Sequence, residues 1–121
     1  MICAILLAFL VGELTMKNVF CRVRPCNQDL SIPLAVKRPT AYSFPSGHTG
    51  SSFAAAMGLF LCHKKLGIPA LVLAFVIGLS RLYLFVHFPT DVLVGAVLGI
   101  LCAVAVWFIF RKCRIDNKIN R

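Results

Sequence analysis
The chain has 121 residues, 60% of them hydrophobic and only 14% charged. A soluble domain of this length builds one modest core and would leave much of that apolar surface exposed, so the composition is that of a membrane protein. Its 13 Lys and Arg against 4 Asp and Glu give a formal net charge of +9. The cations sit in polar stretches and near the C-terminus rather than on a helix face interleaved with aromatics, which speaks against nucleic acid and leaves an anionic lipid surface or a phosphate substrate as the partner.

In chain order, the first apolar run covers residues 1–16 and contains Glu13. It lacks a basic leader and a small-residue cleavage site, so it reads as a retained helix rather than a signal peptide. Residues 17–44 carry Pro25, Pro33 and Pro39, too broken for one long helix; a loop with one short interfacial helix is expected. A second apolar run, about residues 49–62, gains length if its helix begins at Ser46. The third, residues 66–86, has Pro69 in its first turn, where proline is tolerated. The fourth, residues 90–110, is uninterrupted, and a basic tail follows at 111–121.

Measured against the roughly 20 residues a helix needs to cross hydrocarbon, these runs predict an all-α fold. It is a transmembrane helical bundle of about four spans (1–16, 46–62, 66–86 and 90–110) forming one membrane-embedded domain. Small residues crowd the second run (Gly50, Ser51, Ser52, Ala54, Ala55, Ala56, Gly58), and Gly95 and Gly99 lie four apart in the last. Both patterns allow close helix approach in lipid. Of the six cysteines, Cys3, Cys62 and Cys102 lie in or beside apolar runs as small hydrophobes. Cys21 and Cys26 share a loop and could pair if it faces an oxidising compartment, with free thiols the preferred reading, and no metal-ligand spacing emerges.

Four antiparallel spans put the 17–44 loop and the 81–91 region on one side, and the termini with the His63–Lys65 turn on the other. Lys64, Lys65, Arg111, Lys112, Arg114, Lys118 and Arg121 fall on the terminal side. The positive-inside rule therefore predicts cytoplasmic termini and an outward-facing loop side.

Three polar clusters share that loop side. Lys17 is followed after six residues by Arg24-Pro25. Pro45-Ser46-Gly47-His48 opens the second helix. Ser80-Arg81 is followed after five residues by His87 and after three more by Asp91. Cations, two histidines and a carboxylate beside hydrocarbon are costly unless functional, and the set suits phosphoryl transfer, which asks for charge around the equatorial oxygens, an in-line nucleophile and an acid for the leaving group. Ser46 is placed as an N-cap, so the amides after it form an anion-binding helix start, and Gly47 lets an oxyanion approach. Pro89 keeps Phe88 out of the helical region and starts the last helix, so Asp91 falls in its first turn with His87 just ahead. A hydrogen bond from one His87 nitrogen to Asp91 would leave the other nitrogen deprotonated.

Each feature has a structural reading as well. Asp91 complements its helix dipole, Arg81 snorkels, and Glu13 with Lys17 makes an ordinary i,i+4 pair. His63 lies on the opposite side and has no role assigned.

Together the clusters match a signature. The sequence resembles the type 2 phosphatidic acid phosphatase family, whose pattern is a Lys, six residues and Arg-Pro; then Pro-Ser-Gly-His; then Ser-Arg, five residues, His, three residues and Asp. Lys17, Arg24, Pro25, Pro45, Ser46, Gly47, His48, Ser80, Arg81, His87 and Asp91 each occupy a matching position. Lys37-Arg38-Pro39 is a decoy, because only Arg24-Pro25 has a Lys at the required spacing.

The resemblance implies that His87 is a nucleophile forming a phosphohistidine, that Asp91 orients it, and that His48 protonates the leaving oxygen and then activates water. It also implies that Lys17, Arg24 and Arg81 bind the phosphoryl oxygens, helped by Ser46, Gly47 and Ser80, with no metal or cofactor. Membrane members usually have six spans, so the chain corresponds to the family core without its first two helices. The implied activity is hydrolysis of a lipid phosphate or diphosphate at the outer membrane surface. Phosphatidic acid, phosphatidylglycerophosphate and undecaprenyl diphosphate all fit. The alternatives are an inactive fragment serving as a membrane helical module, and a vanadium-dependent haloperoxidase, which shares the signature but is soluble. Neither headgroup preference nor oligomeric state is legible in the sequence.

Overall fold
The computed structural model describes the backbone of residues 1–119 and the side chains of residues 1–114, and all regular structure among them is helical. The first apolar run is a helix that changes pitch. α1 (Ile2–Phe9) continues through a π-helical segment, Leu10–Met16, into α2 (Lys17–Phe20). The Thr15 hydroxyl donates to the carbonyls of Leu10 and Val11 at 3.0 and 2.8 Å within the widened segment. Cys21, left-handed at φ 45°, ends the helix, and Pro25 starts the one-turn α3 (Pro25–Gln28) as its first residue.

The loop that follows is tied by Arg38. Its guanidinium donates to the carbonyls of Leu30 and Ile32 at 3.1 and 2.8 Å, and to that of Cys26. The decoy arginine thus organises loop backbone. Cys21 and Cys26 are both free thiols, the first exposed and the second buried.

α4 (Gly47–Cys62) and α5 (Lys64–Tyr83) meet at His63, which ends one helix and begins the other. α5 therefore starts two residues before the expected 66 and stops at Tyr83, three short of 86. Pro69 consequently lies inside the helix rather than in its first turn. The stop coincides with Phe85 at φ 56°, a conformation costly for a bulky side chain and enriched near functional sites. α6 (Pro89–Ile119) runs on through most of the residues read as a tail. Lys and Arg are good helix formers and complement a helix C-terminus, and Arg111 lies 5.0 Å over the Trp107 ring.

Where about four spans are expected, three helical stretches among the described residues are long and apolar enough to cross a membrane: Ile2–Gln28, Lys64–Tyr83 and Pro89–Arg114. The 16 residues of α4 reach only about 24 Å. α4 is also the hub, packed most extensively on α6 and α5 and then on α1.

Size sorts inside from outside. The buried cluster consists of Ala4, Ala8, Ala54, Cys102 and Ala103, while Val72, Leu73, Phe75, Val76, Leu93, Val97, Leu101 and Phe108 face outward. Large apolar residues outside and small ones inside are the arrangement lipid favours, since burial of apolar surface between helices gains nothing there and close packing does. The α4–α6 contact shows how close. A Cβ on Gly95 would stand 2.6 Å from the Ser46 carbonyl oxygen, and one on Gly99 would meet the Gly50 carbonyl and stand 2.9 Å from the Ala54 nitrogen. The protein is an integral membrane helical bundle, with Lys17, the start of α4 and the start of α6 at one end and Met1 packed near Gly58 at the other.

Candidate active site
Backbone bonds first fix the loops at that end. The Ser43 N–H donates to the Arg22 carbonyl at 2.8 Å, and the Ser46 N–H donates to the Asp91 carbonyl at 3.0 Å. The 17–44 loop, the start of α4 and the start of α6 are thereby locked together.

Asp91, 0% exposed, is held from four directions. Its Oδ2 accepts the Phe88 N–H at 2.8 Å, the reciprocal half of a capping box at the start of α6. The same oxygen accepts the Ser43 hydroxyl and faces His87 Nδ1 at 3.6 Å. Its Oδ1 accepts Arg22 Nη1 at 2.8 Å; that nitrogen also donates to Thr90 Oγ1 at 2.7 Å, and the guanidinium lies 4.1 Å over the Phe88 ring. The carboxylate that caps the start of α6 also stands beside His87.

His87 is 4% exposed. Arg24 Nη1 lies 3.1 Å from its Nε2. A guanidinium can only donate, so Nε2 accepts and the ring proton is assigned to Nδ1, on the Asp91 side. Burial, and next the Arg24 charge, push the His87 pKa down from 6.5 to about 4, with Asp91 opposing. The ring is therefore neutral near pH 7. Arg24 is fixed in turn by the Val86, Ala41 and Tyr42 carbonyls at 3.0, 2.7 and 3.2 Å.

Two adjoining clefts open at this centre, and both are lined by Arg24, His48 and His87. One, of about 330 Å³, adds Phe9, Glu13, Lys17, Gly47 and Ser51. The other, of about 230 Å³, adds Val36, Lys37, Pro39, Arg81 and Val86. Lys17, Arg24, Arg81, Gly47, His48 and His87 are thus gathered at one place, with Asp91 directly behind His87.

The two serines differ. Ser46 sits at the N-cap position of α4 without a side-chain cap; its buried hydroxyl pairs with Thr49 Oγ1 at 2.9 Å. The Ser80 hydroxyl donates to the Ile77 carbonyl at 2.7 Å and accepts Arg81 Nε at 3.2 Å. Neither lines these two clefts. No group of three or more His, Cys, Asp or Glu able to hold a metal ion occurs among the described residues.

Four residues of the site escape the sequence reading: Glu13, set aside there as half of an ion pair, Lys37, read there as part of a decoy, Arg22 and Ser43. Arg22 and Arg24 flank Val23 in an extended stretch, where alternate side chains share a face, and that spacing was the available signal. Ser43 has no local signal, since its partner is 48 residues away.

The arrangement presents a neutral imidazole whose unprotonated Nε2 accepts from Arg24 at the edge of the clefts, a carboxylate facing its other nitrogen, four cations (Lys17, Arg24, Lys37 and Arg81) and a second histidine. Such a centre can accept a tetrahedral anion and attack it. The chain is 37% identical over 105 residues to the bacitracin transport permease protein BcrC of Bacillus licheniformis, covering 84% of this chain and 52% of that one. It is 31% identical over 118 residues to the undecaprenyl-diphosphatase of Sulfolobus acidocaldarius, covering 97% and 54%. Its fold matches the crystal structure of a transmembrane PAP2-type phosphatidylglycerolphosphate phosphatase from Bacillus subtilis with a TM-score of 0.72 and 33% identity, covering 92% of this chain and 57% of that one. The chain spans about half the length of these curated relatives. The family model described as the PAP2 superfamily matches residues 1–115, and the chain belongs to that superfamily.

Proposed function
We propose that this chain hydrolyses a lipid phosphate or diphosphate, without a metal, through a phosphohistidine on His87. One observation carries the reading: the unprotonated Nε2 of His87 opens where Arg24, His48 and the two cationic clefts converge, while its Nδ1–H faces buried Asp91.

In this mechanism the phosphoryl group enters between Lys17, Arg24 and Arg81, with the first-turn amides of α4 at Gly47 adding donors. Nε2 attacks phosphorus in line with the leaving oxygen, and the bond to that oxygen breaks as His48 supplies its proton. Asp91 stabilises the positive charge that develops on His87. His48, now neutral, takes a proton from water; the water oxygen attacks phosphorus, the P–N bond breaks, and orthophosphate leaves. Three fixed cations supply the charge neutralisation that a metal gives elsewhere. Ser46 and Ser80 join the phosphoryl ligands only by rotating away from Thr49 and Ile77.

The site stands at the end of apolar helices, at headgroup level, which favours phosphates carried on lipids. The names of the relatives point to the same class, and phosphatidic acid, phosphatidylglycerophosphate and undecaprenyl diphosphate are the substrates to test. The helices act as a single membrane-embedded domain with the site outside and the termini in the cytoplasm, an orientation supported by the basic residues of the terminal side. Purified in detergent with a chelator present, the protein releases orthophosphate from at least one of these lipids, and His87→Ala abolishes release. Activity that requires an added divalent metal would refute the mechanism.

A further inference from the structure
The first cleft contains one acidic side chain, and it stands where an anion should bind. Glu13 Oε1 is 2.6 Å from Lys17 Nζ. The same carboxylate presses on the start of α4: a Cβ added to Gly47 would collide with Oε1 and stand 3.0 Å from Cδ. Glu13 lines this cleft with Arg24, His48 and His87. It also sits in the middle of the π-helical segment Leu10–Met16, an irregularity frequent at functional sites.

We infer that Glu13 is a counter-anion of the empty site, occupying the place of phosphoryl oxygens between Lys17 and the N-terminus of α4 and competing with them for both. The inference rests on the proposed phosphatase reading and adds a residue that limits how tightly phosphate is kept. An empty site lined by Lys17, Arg24, Lys37 and Arg81 carries a large uncompensated charge, and one carboxylate offsets part of it. When a phosphoryl group arrives, Lys17 exchanges Glu13 for a phosphoryl oxygen. The carboxylate is then left facing an anion of like charge, which weakens retention of orthophosphate and speeds its exit. An ordinary ion pair that merely aims Lys17 makes the opposite prediction, because its loss weakens phosphate binding.

The test is orthophosphate affinity, measured by calorimetry on the detergent-purified wild type and on Glu13→Gln, an isosteric change at a partly exposed helical position. The expected result is about tenfold tighter binding in the variant, equivalent to about 1.4 kcal/mol, together with a lower KM for the lipid substrate. Glu13→Ala, with its melting temperature checked against wild type, should tighten binding in the same direction. Unchanged or weaker orthophosphate binding in folded variants overturns the inference. Lipid turnover by the wild type is scored separately: absent turnover with tighter phosphate binding in Glu13→Gln would sink the phosphatase reading alone, and turnover without tightening would sink the Glu13 inference alone.

Discussion

Arg22 lies outside the sequence pattern that marks Lys17 and Arg24, yet it supplies the partner of Asp91 Oδ1, and its removal gives a quantitative test of how His87 is held. In Arg22→Gln that oxygen loses its 2.8 Å ion pair while Asp91 stays buried. A hydrogen bond to a charged group contributes about 1.5–3 kcal/mol. The arginine side chain is 38% exposed, so solvent screens the pair and the lower end applies, about 1.5 kcal/mol. Part of this appears as lost stability, because Arg22 also bonds Thr90 and stacks on Phe88. The remainder appears in catalysis: Asp91, freed on one side, rotates and loosens a contact to His87 Nδ1 that is already 3.6 Å. We predict a fall in kcat of about threefold, the rate equivalent of roughly half of that energy, with little change in KM, since Arg22 lines neither cleft. Arg22→Lys recovers part of the loss through its charge but not the fork and stacking geometry. Initial rates on a short-chain lipid phosphate in detergent, with melting temperatures for each variant, decide the matter. A folded Arg22→Gln enzyme with wild-type kcat would refute the argument that Asp91 needs this clamp.

Other predictions follow from the same geometry. Because His87 is held at a pKa of about 4, below its ordinary 6.5, the acid limb of kcat/KM for this group lies below the usual histidine range; an inflection at 6.5 assigned to His87 would contradict that. The same shift gives a stability term. As pH falls the unfolded chain takes up the proton first, so the contribution is complete above about 6.5 and is lost as pH falls toward 4, and melting scans of wild type against His87→Asn should show it. Gly99→Leu drives a side chain into α4 backbone at Gly50 and Ala54 and should destabilise by about 3 kcal/mol, whereas Gly58→Ala, whose nearest neighbour is Met1 at 3.4 Å, should be tolerated. A membrane-impermeant thiol reagent should label exposed Cys21 and spare Cys113 in intact cells; the reverse labelling would invert the topology.

Much of this was legible in the sequence because chemistry and local backbone rules leave marks at short range. Phe88-Pro89 announces the start of α6, and with it the position of Asp91 in the first turn. The crowd of small residues in α4 and the Gly95/Gly99 pair announce the α4–α6 contact. Apolar length picks out the four helical stretches of the bundle, and the 16-residue α4 packs on α6, α5 and α1. The limits 66–86 failed at both ends, because His63 alone makes the turn and Phe85 ends the helix through an unusual φ that no propensity predicts. Arg22 and Ser43 act through partners 69 and 48 residues away, a distance at which spacing carries no information. Glu13 shows the opposite difficulty. Its i,i+4 pairing with Lys17 is real, and only the fold reveals that the pair lines a cleft beside the start of α4.

The central claim is that Nε2 of His87 becomes covalently bonded to phosphorus. Rapid mixing with a ³²P-labelled lipid phosphate, followed by an alkaline quench that preserves phosphohistidine and by peptide mapping, tests it most directly. The account predicts transient label on His87, absent from His87→Ala and longer-lived when His48 is replaced. Label on another residue, or hydrolysis that persists in His87→Ala, would contradict it.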